Sequence, residues 1–132
     1  MADDKKKVLI VDDEADIREF LQSVLEEEGY ELLTACDGEE GLRVAREKNP
    51  EVVILDVQMP KKDGFQVFHE LRNGAATRGI RVIMLTGVAE RTGFKFDGQA
   101  MGEFLGSEPD AYIDKPVAPE KIQETVRKLT ER

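Results

Sequence analysis

Cysteine and histidine occur once each in this chain, as Cys36 and His69. A single thiol cannot form an internal disulfide, and no cluster of Cys and His is available to hold zinc. The lone thiol suits a reducing compartment, so a cytoplasmic location is expected. No apolar run approaches the ~20 residues a helix needs to cross a bilayer, and no signal peptide is expected ahead of the first apolar run. Basic residues are few: 19 Lys and Arg stand against 28 Asp and Glu, a net charge of −9. That excess argues against a nucleic-acid surface, which needs clustered cations for phosphates. The only basic run, Lys5-Lys6-Lys7, reads as a solvated lead-in. No Walker pattern or G-x-G-x-x-G follows the first apolar run, which leaves a nucleotide site without its cradle. Internal repeats and low-complexity linkers are also missing. The 132 residues therefore read as one domain, 1–132, with residues 1–7 as a flexible lead-in.

What is present centres on Glu51-Val52-Val53-Ile54-Leu55-Asp56-Val57-Gln58-Met59-Pro60. An apolar run without alternation predicts a strand covered on both faces, as in a parallel sheet. Pro60 ends the element, since it lacks an N–H and restricts the residue before it. Asp56 then falls near the carboxyl end of a buried strand, the edge where open α/β sheets bind ligands. A charge there is costly unless a cation or hydrogen-bond donors meet it.

The rest of the chain supplies strands and helices in alternation. Val8 to Val11 predicts the first strand, and Ile17, Phe20, Leu21, Val24 and Leu25 recur at helical spacing behind it. Gly29 suits the end of that helix. Tyr30 to Cys36 reads as the second strand, with Cys36 as a small packing residue. Asp37 is a candidate cap for the next helix, with Glu40 as its capping-box partner and Leu42 and Ala45 facing inward. Lys61-Lys62-Asp63-Gly64 reads as a turn, and Phe65, Phe68 and Leu71 mark a third helix that carries His69 on an exposed or half-exposed position. Arg81 to Thr86 predicts the fourth strand and Ala111 to Asp114 the fifth. Pro119 opens a last helix with Ile122, Val126 and Leu129 inside. The β-α order, five times over, predicts a parallel sheet with helices on both faces.

In such a sheet the strand ends converge on one edge. They bring Asp12 and Asp13 from strand one, Asp56 from strand three, Thr86 from strand four and Lys115 from strand five. Taken singly, Asp12 and Asp13 could cap a helix, Thr86 could end a strand, and Lys115 could be an exposed cation. Asp56 has no such bland account, because a carboxylate closing an apolar run needs partners. Three carboxylates and one ammonium leave a charge that one Mg²⁺ balances, and oxygen ligands suit that ion.

Val8 to Asp13, then Asp56 in "LDVQMP" with Gly64 following, then Thr86 in "IMLTG", then Lys115 in "YIDKP", together resemble the receiver domain of bacterial two-component response regulators. The resemblance spans essentially the whole chain. It implies a flavodoxin-like, doubly wound five-stranded parallel sheet in the order 2-1-3-4-5, with helices on both faces. It implies that Asp56 accepts a phosphoryl group from a sensor kinase phosphohistidine or a phosphotransfer protein. Mg²⁺ would be held by Asp13, Asp56 and the backbone carbonyl of Gln58, with Asp12 acting through water. Lys115 would pair with one phosphoryl oxygen and Thr86 would donate to another, while the small Gly87 leaves the phosphoryl group room to enter. Tyr112 would turn inward as Thr86 moves, changing the face formed by the fourth helix, fifth strand and last helix for a separate output protein. Gln58 and Val88 would set how fast water attacks the phosphoaspartate. The Lys115–Pro116 bond would be cis. Such a protein is a phosphoacceptor that promotes its own phosphorylation and dephosphorylation, with no direct nucleic-acid or membrane partner.

The pattern departs from the family between residues 88 and 109. This segment is longer than the usual connection and holds Phe94 and Phe96. A short helix near Gln99 to Leu105 and a flap ordered by phosphorylation are the expectations there. Two rivals stand beside the receiver reading. A phosphohydrolase with an aspartyl nucleophile needs a second acid two residues on, where this chain has Gln58. A receiver-like docking module that is never phosphorylated is the other.

Overall fold

A computed structural model describes residues 5–57, 59, 63–87 and 109–131. Gln58, Val88, the expected helix near 99–105 and the expected flap lie outside these residues.

Five apolar runs form the strands β1 (Lys7–Val11), β2 (Glu31–Ala35), β3 (Val52–Asp56), β4 (Arg81–Thr86) and β5 (Ala111–Asp114). They make one parallel sheet in the order β2-β1-β3-β4-β5. The helices among the described residues are α1 (Ala15–Glu26), α2 (Gly38–Lys48), α3 (Gly64–Asn73) and α4 (Pro119–Thr130).

Strand residues alternate between two apolar layers, as their period of two requires. Leu9, Val11, Val53, Leu55, Val82 and Met84 face Leu42 and Ala45 of α2 and Val67, Phe68 and Leu71 of α3. Val8, Ile10, Val52, Ile54, Ile83, Leu85 and Ile113 face Leu21 and Leu25 of α1 and Ile122 and Val126 of α4. The central strands thus have both faces buried, which is why β3 reads as an unbroken apolar run.

The elements end where local chemistry stops them. After α1 the chain turns through Gly29, whose φ of +87° favours glycine. Asp37 caps α2 by accepting from Glu40 N–H at 2.8 Å. The Glu40 carboxylate returns the bond to the Cys36 N–H at 2.8 Å, one residue before the cap. Asn49 closes α2 in the left-handed region. Asp63 caps α3 through Gln66 N–H at 2.9 Å.

Three expectations need correction. Cys36 is exposed rather than packed. β2 stops at Ala35, so Cys36 falls in the capping turn and its side chain lies outside the sheet; the nearby Glu40 carboxylate raises its thiol pKa. Lys7 is the first residue of β1, paired with Glu31, rather than the end of a lead-in. Gly64 opens α3 rather than sitting in a turn, because Asp63 supplies the cap.

Candidate functional site

The sheet's carboxyl edge carries the chemistry. Asp56 is the last residue of β3 and only 3% exposed. The backbone beyond it is pinned on both sides. Val57 N–H donates to the Leu85 carbonyl at 3.1 Å, and Gly64 N–H donates to the Val57 carbonyl at 2.9 Å. α3 therefore starts directly against the segment that carries Asp56. A Cβ on Gly64 would lie 2.4 Å from the Asp56 carbonyl oxygen and 2.9 Å from Val57 Cα. Only glycine fits that approach, because both neighbours are backbone.

Asp12 follows β1 and is fully buried. Its Oδ1 accepts from Glu14 N–H at 2.9 Å, and Arg18 of α1 donates to its carbonyl at 2.7 Å. Its Oδ2 is buried without a hydrogen bond, and the nearest cation is Lys115 Nζ at 3.5 Å. Burial raises the Asp12 pKa, against the Glu14 N–H and the Lys115 charge, which lower it. Asp13 is exposed beside it.

Lys115 leaves β5 at a cis bond to Pro116. Its N–H donates to the Thr86 carbonyl at 2.7 Å, which carries the β4–β5 ladder one residue further. The ammonium donates to Asp56 Oδ1 at 3.1 Å. Burial alone would lower the pKa of this lysine, but the charges of Asp56 and Asp12 outweigh it and hold its pKa above the ordinary lysine value.

Asp12, Asp13 and Asp56 each offer a carboxylate oxygen, and the three oxygens lie within 4.8 Å of one another. Three carboxylates against one ammonium leave an excess of negative charge, with one buried oxygen unsatisfied. Hard oxygen donors with room for further ligands fit Mg²⁺. The residues present therefore suit the ion that the sequence called for.

Thr86 ends β4 and is 3% exposed. Its hydroxyl donates to Asp114 Oδ1 at 2.9 Å. Gly87 follows and is half-buried. Tyr112 is half-buried and packs against the layer shared with α2 and α3.

Of the expected site residues, Asp12, Asp13, Asp56 and Lys115 meet at one edge, and Thr86 ends the neighbouring strand with its hydroxyl turned to Asp114. Three contributors went unassigned in the sequence. Gly64 was visible as a turn glycine and as the glycine following "LDVQMP", with no contact assigned to it, Arg18 was not singled out, and Asp114 was the third letter of "YIDKP". None carries a sequence signal of its role, since each acts through a backbone approach or a cross-strand bond.

Comparison with known proteins agrees with this fold. The family model for the response regulator receiver domain matches residues 8–127. The "Probable transcriptional regulator ycf27" of Cyanophora paradoxa is 41% identical over 128 residues, covering 97% of this chain and 49% of that protein. The "Alkaline phosphatase synthesis transcriptional regulatory protein PhoP" of Bacillus subtilis is 39% identical over 127 residues, covering 96% of this chain and 49% of that protein. The chain spans about half the length of the curated relatives it matches. The structure of the chemotaxis protein CheY4 of Vibrio cholerae superposes with a TM-score of 0.80 at 30% identity, covering 95% of this chain and 98% of that one.

Proposed function

Because the chain belongs to the response regulator receiver domain family, we propose that Asp56 is its phosphoacceptor and that Asp12, Asp13, Lys115 and Thr86 serve the transfer. The observation that carries this reading is the buried Asp56 carboxylate, met by the Lys115 ammonium at 3.1 Å beside two further acids.

A carboxylate oxygen of Asp56 attacks phosphorus, an O–P bond forms, and the N–P bond to the donor imidazole breaks. The protein has little covalent work beyond placing groups and meeting charge. Lys115 holds the Asp56 carboxylate in place, then follows the transferred charge to a phosphoryl oxygen. Asp13, Asp56 and the Gln58 carbonyl would hold Mg²⁺ in an oxygen-rich seat. Asp12 acts there through water. When bound, Mg²⁺ neutralises phosphoryl oxygens and orients the in-line transfer. Thr86 donates to a third phosphoryl oxygen, and Gly87 leaves space beside it.

Phosphorylation adds a charge of about −1.5 to −2 and new acceptor oxygens. Thr86 then has a reason to turn toward Asp56, and Tyr112, on the neighbouring strand, turns inward behind it. β5 and its flanking helices are the surface that changes. The donor is a sensor histidine kinase or a phosphotransfer protein, and the reader is a separate output protein, in the cytoplasm. Gln58 and Val88 set the phosphoaspartate lifetime, and the same site promotes both gain and loss of the phosphoryl group.

Incubation with acetyl phosphate and Mg²⁺ tests the reading by intact mass. Wild type should gain one phosphoryl increment and Asp56→Asn none. Equal incorporation by the two would remove Asp56 from the role. No incorporation by wild type would favour a docking module that is never phosphorylated.

A further inference from the structure

We propose that Asp114 is a latch on Thr86: its carboxylate withholds the threonine hydroxyl from the phosphoacceptor site and so sets how readily that site is occupied. This rests on the reading of Asp56 as phosphoacceptor given above.

A threonine hydroxyl has one proton to donate. Here it goes to Asp114 Oδ1 at 2.9 Å, so it cannot reach a phosphoryl oxygen at the same time. The acceptor is a carboxylate, which makes this bond stronger than one between neutral groups. The two residues are register partners on β4 and β5. The Lys115 N–H bond to the Thr86 carbonyl at 2.7 Å fixes the backbones just beyond them. The latch therefore joins two strands held at constant separation, and rotation about the Thr86 χ1 bond suffices to open it.

The two ends of the bond differ in what release costs. Asp114 is exposed, so water replaces its lost donor. Thr86 is 3% exposed, so its hydroxyl needs a protein or ligand acceptor wherever it turns. An anion seated at Asp56 supplies one. The hydroxyl thus has two competing acceptors, one present in the resting protein and one that arrives with the phosphoryl group. Met84–Tyr112 is the preceding same-face pair in this register, so Tyr112 stands two residues from the latch on the same side of β5. Opening the latch frees the strand end next to the aromatic side chain assigned to the switch.

Asp114 also carries a charge next to Lys115, and that charge alone would repel an anion. The test has to separate this effect from the latch. Beryllofluoride with Mg²⁺ serves as the phosphoryl mimic, and its affinity is read by NMR titration of the full chain. Wild type, Asp114→Ala and Asp114→Asn are compared, each with Thr86 intact and with Thr86→Val, and Asp56→Asn is the control. With Thr86 present, Asp114→Ala should tighten binding about three- to tenfold. With Thr86→Val the same change should matter by less than about twofold, because the coupled partner is gone. Asp114→Asn should gain less than Asp114→Ala, since an amide oxygen still accepts. Thr86→Ala replaces Thr86→Val if the latter disturbs the amide spectrum. An equal gain in both backgrounds would reduce Asp114 to a charge effect, and no gain in either would remove the latch. Equal binding by wild type and Asp56→Asn, or none by wild type, is a different result: it overturns the phosphoacceptor reading and the latch with it.

Discussion

Asp12 shows how burial and function oppose each other in one side chain. Its carboxylate is fully buried, one oxygen lacks a hydrogen bond, and its pKa is raised by burial. The folded, metal-free chain therefore binds this proton more tightly than the unfolded chain does. Stability through Asp12 rises as pH falls through its folded value toward the ordinary 3.8. In chelator, Asp12→Asn should stabilise the protein at neutral pH, and its advantage over wild type should shrink on acidification. Thermal melts of the two proteins across pH check this; an advantage that does not change with pH would contradict it. Gly64 gives a second residue-scale prediction. Alanine at a helix position gains up to ~1 kcal/mol over glycine. The Asp56 and Val57 backbone in the way of a Cβ should cost about 1–3 kcal/mol. Gly64→Ala should thus lower urea stability and slow labelling of Asp56 as the strand end shifts. Asp56 was legible in the sequence because a carboxylate closing an apolar run has no bland explanation. Gly64 and Asp114 were not, since a close backbone approach and a cross-strand bond leave no trace in spacing.

The elements differ in how firmly their ends are written into side chains. Asp37 accepts from the Glu40 N–H and Asp63 from the Gln66 N–H, whereas the N-cap of α1, Glu14, makes no side-chain capping bond. Asp37→Ala should cost about 1 kcal/mol, while Glu14→Ala should stay within ±0.5 kcal/mol. Urea unfolding of both variants measures the contrast. Strand positions were readable because β1, β3 and β4 are covered on both faces and carry continuous apolar runs. Strand ends were less so. Lys7 joins β1 through backbone pairing with Glu31, which a charged side chain does not prevent. Cys36 looked like a strand residue because it is small and apolar, yet the Asp37 cap ends the strand before it. Turn composition at Asp63-Gly64 hid a helix start, as Asp and Gly serve turns and caps alike.

At the scale of the whole molecule, alternation of strand and helix predicts a parallel sheet but not its order. The order β2-β1-β3-β4-β5 came from the family resemblance, and it matters because it sets β3, which carries Asp56, between the strands leading to Asp12 and to Thr86. A fold that gathers acids at one edge of a chain with net charge −9 is held together better once a cation joins them. Mg²⁺ at 100 times its dissociation constant should add about 2.7 kcal/mol. That corresponds to a rise in Tm on the order of 10 °C for a domain of this size, and Asp13→Asn should lose most of it. The most direct test of the central assignment locates the phosphoryl group itself. After acetyl phosphate and Mg²⁺, borohydride reduces an acyl phosphate of aspartate to homoserine, and peptide mass spectrometry finds the position. The account predicts homoserine at Asp56, abolished when Mg²⁺ is chelated before labelling; homoserine at Asp12 or Asp13 instead, or incorporation indifferent to Mg²⁺, would contradict it.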